Sequence, residues 1–214
     1  MPSRKTDYAS HIIFRISHLA EEIKEYGGRL VVLNDIATAL YGLIKPVSEI
    51  RILVGDIEDE KLVEIVVNGL GMTGYKEDIL RSLNTINRAV LNPLFIPITI
   101  VEKPRKPVDG VILEEPIEFV DNQIEMNLPR LEYLIAKLLD IGEYPYIIEA
   151  SALLLAHIDV INIDVLMNYA DLSPIMDLLR NIREFTSIFP ELNKHQNKIS
   201  DLMEKIKDSY KTIF

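Results

Sequence analysis

The sequence predicts an α+β fold, a mixed sheet with its helices over residues 1–126 and a helical bundle over 127–214. Two observations predict it. Helix-spaced apolar stripes alternate with short β-branched runs up to residue 126, and from Pro129 onward only helical spacing remains. No Gly/Ser-rich linker separates the halves, so they are expected to pack as one body.

Ile12, Ile13, Ile16, Leu19, Ala20 and Ile23 mark one face of a helix over 6–26, capped by Thr6 or Asp7 and stopped by Gly27-Gly28. Leu30–Leu33 reads as a buried strand. Residues 35–43 form a short helix, ended by Gly42 and kept from extending by Pro46. Glu49–Val54 alternates with period two, as a strand does, and 58–70 is a helix closed by Gly69 and Gly71. Residues 76–91 fit a helix, but Ile86–Leu91 also fits a strand leading into Phe95–Val101. Pro97 places that second run toward a sheet edge or at a bulge. Lys103–Pro107 is a charged connector. Short strands are expected near 110–114 and 117–120, with Ile124–Met126 pairing back across an Asp121-Asn122 turn.

In the second half Asn127 is a cap, Pro129 sits in the first turn, and Leu131, Leu134, Ile135, Leu138 and Leu139 form a stripe up to Gly142. Helices follow over 145–157, from Asn162 or Asp164 to Tyr169, over 173–186, and over 190–211. The last carries Leu192, Ile199, Leu202 and Ile206, a dimer surface if that stripe is left uncovered.

Composition bounds the function. Of 214 residues 48% are apolar, ample for a core, and the formal net charge is −10, which repels phosphate backbones. General nucleic-acid binding is therefore not expected. There is no Cys, so disulfides, thiolate metal sites and cysteine nucleophiles are excluded. No apolar run reaches the ~20 residues of a spanning helix, and residues 1–7 lack a signal-peptide core, so a cytoplasmic chain without membrane contact is expected. Thirty-one Ile, no Trp and two Gln fit a thermophilic source and an AT-rich genome equally well. The four His are scattered and carry no metal-ligand spacing. Lys103, Arg105 and Lys106 read as a linker or as a partner contact.

Leu30–Val54 (LVVLNDIATALYGLIKPVSEIRILV) resembles the opening of the nucleotidyltransferase superfamily of polymerase-β-like folds: strand, turn, short helix, then a strand with two acids one residue apart. Leu128–Ala150 resembles the lysine-bearing helix of its toxin- and antitoxin-type members, and Lys137 falls where that lysine would. The first half is thus expected to be a nucleotidyltransferase-like sheet. The resemblance implies a pocket of Asn34, Asp35, Ser48, Glu49, Arg51, Thr99 and Lys137 in which magnesium would align a nucleoside triphosphate. Its usual Gly-containing turn is replaced by Asn34-Asp35, where Asp35 also serves as a helix N-cap. Glu49 stands at the first acidic position and Arg51 at the second. Thr99 holds the third, and Glu102, three residues on, lies on the opposite face of a strand from Thr99.

Charge decides the expectation. A divalent ion and a guanidinium about 5 Å apart repel by roughly 7 kcal/mol at an effective dielectric of ~20. The expected function is a catalytically degenerate member acting as a non-enzymatic binding or regulatory module, with no metal, no cofactor and no catalytic residue. Arg51 then either pairs internally with Glu49 or binds a nucleotide phosphate directly. A homodimer or a protein partner are the candidate associations. The alternative is an active metal-dependent nucleotidyltransferase, using magnesium and a nucleoside triphosphate on a small molecule, protein or RNA end; a toxin–antitoxin component is the third reading.

Overall fold

The structure, a computed structural model, describes residues 4–72, 75–93, 96–121, 124–189 and 195–211. The fold is α+β. The chain divides into two units, one of Met1–Ala39 with Ile44–Arg130 and one of Leu40–Leu43 with Leu131–Phe214. Among the described residues no helix is long and apolar enough to cross a membrane.

In the first unit, helix α1 (Arg4–Glu25) buries Ile12, Ile16, Leu19 and Ile23, the predicted face. It stops where Gly27 turns left-handed at φ 79°, and the Gly28 amide donates to the Ile23 carbonyl at 3.0 Å. Then follow β1 (Arg29–Leu33), α2 (Asn34–Leu40), β2 (Glu49–Gly55), α3 (Asp59–Gly69), α4 (Lys76–Ile86), β3 (Arg88–Leu91), β4 (Ile98–Glu102), α5 (Pro107–Glu114), β5 (Ile117–Asp121) and β6 (Ile124–Leu128). β5 and β6 form a two-stranded antiparallel sheet.

The main sheet runs β1-β2-β4-β3. β2 and β4 are parallel, and the outer pairs are antiparallel, so the sheet is mixed. Its register sorts the side chains by parity. One face carries Leu30, Val32, Ile50, Ile52, Val54, Thr99, Val101, Ala89 and Leu91, all buried. The other carries Val31, Leu33 and Leu53 together with every ionisable side chain of the four strands: Arg29, Glu49, Arg51, Glu102 and Arg88.

Three expectations are corrected, and one left open is resolved. Residues 110–114 are not a strand but part of α5, because Pro107 fixes the first turn and the buried Asp109 carboxylate accepts from the Arg105 and Lys106 amides at 2.9 and 3.0 Å. Pro97 precedes β4 rather than interrupting it, so β4 keeps its ladder amides and lies inside the sheet, not at its edge. Asn127 is a strand residue whose side chain donates to the Leu30 carbonyl at 3.4 Å, and α6 begins at Leu131. Residues 76–91 hold both a helix and a strand, divided at Asn87, which ends α4 in the left-handed conformation (φ 53°). Phe95, Asn122 and the start of the last helix at 190–194 lie outside the described residues.

The second unit comprises α6 (Leu131–Ile141), α7 (Tyr144–Ala156), α8 (Ile163–Tyr169), α9 (Leu172–Ile188) and α10 (Gln196–Lys211), with α6 packed on α7 and α8, and α7 on α9. Asn162 caps α8, accepting from the Asp164 and Val165 amides. Leu40–Leu43 joins this unit: His157 Nε2 lies 2.8 Å from the Tyr41 carbonyl and must donate, since a carbonyl only accepts. In α10 Ile199, Leu202 and Ile206 are buried within the chain, so these three members of the stripe offer no open dimer face; Leu192 lies outside the described residues.

Candidate functional site

Five of the residues singled out in the sequence meet at the N-terminal end of β2. Asn34 follows β1 directly, fully buried and in the left-handed conformation (φ 48°) that Asn tolerates better than most side chains. Its Nδ2 donates to Glu49 Oε1 at 3.1 Å. Asp35, buried beside it, does not cap its own helix. Its Oδ2 accepts from the Ser48 amide (2.7 Å), the Ser48 hydroxyl (2.9 Å) and the Glu49 amide (3.1 Å), and Oδ1 pairs with the Lys45 ammonium at 2.5 Å. Burial pushes this carboxyl upward, but Lys45, the Glu49 and Ser48 amides and the Ser48 hydroxyl together outweigh it, and its pKa lies below the usual value. The chain between α2 and β2 is thereby tied down just ahead of Glu49.

Arg51, with a side chain only 4% exposed, lies between two acids. Its Nη2 and Nε donate to Glu49 Oε1 at 3.0 and 3.3 Å, and its Nη1 donates to Glu102 Oε1 at 2.9 Å. Arg88 Nε stands 3.9 Å from the same Glu102 oxygen. Two carboxylates thus face two guanidinium groups, and the cluster is neutral in formal charge.

Thr99 does not join it. It lies on the opposite face of the sheet and donates to the Pro97 carbonyl at 3.2 Å. Glu102 takes the place expected of it. The parallel register sets Arg51 opposite Ile100, so Glu102, two residues on, rises on the face of Arg51 and Glu49. Counting parity from Thr99 concealed this acid; the pairing of β2 with β4 was the signal needed. Lys137 belongs to the second unit, buried on α6, with Asp140 Oδ2 at 4.0 Å. Lys45, absent from the sequence reading, is the cation on Asp35.

No protein-family model matches this chain, and no curated protein matches it. One solved structure similar to it is that of an antigenic nucleotidyltransferase-like protein from Paracoccidioides brasiliensis: 9% identity, TM-score 0.47, covering 87% of this chain and 92% of that one.

A pair of magnesium ions held by carboxylates does not fit these residues. The donor set on this face is two acids, and the guanidinium between them is bonded to both. A divalent ion held by these oxygens would sit against a buried fixed cation that is already bonded to both acids. What the cluster does chemically is order: it pins β2 to β4 through side chains and fixes the loop ahead of β2.

Proposed function

We propose that this chain is a degenerate member of the nucleotidyltransferase superfamily, working as a binding or regulatory module and not as a transferase. The observation that carries the reading is the position of Arg51. On the segment that resembles the superfamily's acid-bearing strand, a buried guanidinium bonds both neighbouring acids, Glu49 and Glu102. Metal-assisted nucleotidyl transfer needs acidic oxygens open toward the ions that hold the triphosphate. Here those oxygens neutralise an arginine. Of the two roles considered for Arg51, this geometry favours the internal pair over a phosphate ligand, because both faces of the fork are already engaged by carboxylates.

The test is transfer by the full chain. Incubated with each nucleoside triphosphate labelled at the α-phosphate, with Mg²⁺ or Mn²⁺, the protein is expected to transfer no label to itself, to RNA ends or to small hydroxyl acceptors above a no-protein blank. Transfer that disappears in Glu49→Gln would overturn the reading in favour of an active enzyme.

A further inference from the structure

We infer that β5 is a docking edge for a second copy of this chain, the two strands pairing antiparallel about a two-fold axis at Phe119. Within the first unit the β5–β6 hairpin is fastened on its β6 side. Met126 and Leu128 of β6 are buried, and the buried Ser17 of α1 holds the Glu125 backbone twice. Its hydroxyl donates to the Glu125 carbonyl at 2.9 Å and accepts from the Glu125 amide at 3.3 Å. β5 stands outboard, with Ile117 44% and Val120 65% exposed and Glu118 and Asp121 exposed beside them.

The Ser17 clamp also sets the phase of the hairpin. Glu125 turns its amide and carbonyl toward α1, away from β5, and Glu125 is paired with Val120. Opposite residues of an antiparallel pair turn these groups either toward each other or both away, alternating along the strand. Val120 and Glu118 therefore point their amides and carbonyls to the far side of β5. Among the described residues no strand pairs with that side. The outer strands of the main sheet are covered in part: Ser82 donates to the Arg88 carbonyl on β3 at 2.7 Å, and Asn127 to the Leu30 carbonyl on β1 at 3.4 Å. An exposed, uncovered edge with apolar side chains is one that recruits another strand.

Self-complementarity makes that strand a second β5. With Phe119 on the axis, Glu118 of each copy lies opposite Val120 of the other, and every outward amide and carbonyl of these two residues finds a partner. No acid faces an acid, since Ile117 lies opposite Asp121. The two Phe119 residues meet as a close pair, with Cα atoms about 4.5 Å apart, where aromatic pairs stabilise a sheet. A two-fold at Glu118 would set two acids face to face. One at Val120 would carry Glu118 beyond the end of the facing strand and leave its groups unused. The pairing uses no residue of the Arg51 cluster and is independent of the function proposed above.

The experiment is sedimentation of the full chain from about 10 µM to about 1 mM, suited to a small interface, in about 0.5 M NaCl to screen two chains of net charge −10. Wild type is expected to pass from monomer to dimer as concentration rises. Val120→Pro deletes an outward amide that the β5–β6 ladder does not use, and Val120→Asp sets an acid against the second copy's Glu118. The two-fold counts each change twice, so each should weaken association at least about tenfold. Because the chain has no Cys, cross-linking reads the register. Glu118→Cys and Val120→Cys, mixed and oxidised, should give a disulfide-linked dimer, since opposite Cα atoms lie about 5.5 Å apart. Each alone should cross-link far less, because its two copies lie diagonally at about 7–8 Å. The proposal is overturned if wild type stays a monomer throughout, which would leave the edge to a partner of other chemistry. It is equally overturned if either Val120 variant associates as tightly as wild type, or if the mixture cross-links no more than its components.

Discussion

Arg51 and Glu102 meet at 2.9 Å although fifty residues of chain separate them, and the meeting is a consequence of strand register. Arg51 pairs with Ile100 across the parallel β2–β4 ladder, and the two-residue period of a strand then brings Glu102 to the same face. Cutting one partner of so buried a pair leaves the other charged and unpaired. Glu102→Gln is expected to cost about 3 kcal/mol in urea unfolding, and Arg51→Met about as much. The double variant should cost less than the sum by about 1–3 kcal/mol, because neither charge is then stranded. Additive losses would mean that the two side chains do not interact.

Asp35 gives the unit a signature in acid. Its folded pKa is lowered beneath the ordinary 3.8, so the unfolded state binds its proton first as pH drops. The stability it contributes is complete above the unfolded value and is lost as pH falls through the folded one. Asp35→Asn should lose about 2 kcal/mol at neutral pH, since the Ser48 and Glu49 amides and Lys45 lose a charged acceptor. As pH falls through the folded value the variant and wild type should converge. Urea unfolding across pH 2–7 checks this, and a gap that stays constant with pH would mean that the Asp35 carboxyl is not held below its ordinary value in the folded chain.

What was legible in the sequence and what was not divide along one line. Elements marked by local chemistry read directly: the α1 face ending at Gly27, the alternation of β2, and the start of α8, read as Asn162 or Asp164 and found at the Asn162 cap. Properties created by pairing did not. Thr99 and Glu102 are equally good strand residues, and only the offset of β4 against β2 says which of them faces Arg51. Asp35 has an N-cap's residue type, but its partners Ser48 and Glu49 lie more than a dozen residues away. Residues 110–114 misled because Val111, Ile112 and Leu113 look strand-like, while the signal for a helix, Pro107 with Asp109, lies ahead of them.

Gly55 ends β2 under α5, where a Cβ would lie 2.6 Å from Leu113 Cδ1. That distance is well inside van der Waals contact, and Leu113 is buried, so its side chain has to shift within a close-packed interior. Gly55→Ala is expected to destabilise by about 1–3 kcal/mol. Pairing it with Leu113→Val, which removes the offending methyl, should recover part of that loss. If the double variant is worse than the sum of the two, the contact is not where the strain arises.

His157 anchors Leu40–Leu43 in the second unit by donating from Nε2 to the Tyr41 carbonyl at 2.8 Å, with the two rings edge to face at 6.1 Å. Burial, and secondarily the charge of Glu132, pushes the Tyr41 phenol up to about 12, so this ring stays neutral over the working pH range. His157→Phe keeps the ring and deletes the donor. The cost should be about 1–2 kcal/mol, the loss of one hydrogen bond to a part-buried carbonyl. His157→Gln keeps an N–H donor and should retain more stability than His157→Phe despite losing the aromatic contact. Amide exchange at residues 40–43 is the sharper readout: it should accelerate in His157→Phe while exchange in β1 and β2 stays unchanged. Equal acceleration in the strands would mean that His157 supports the fold as a whole and not this segment.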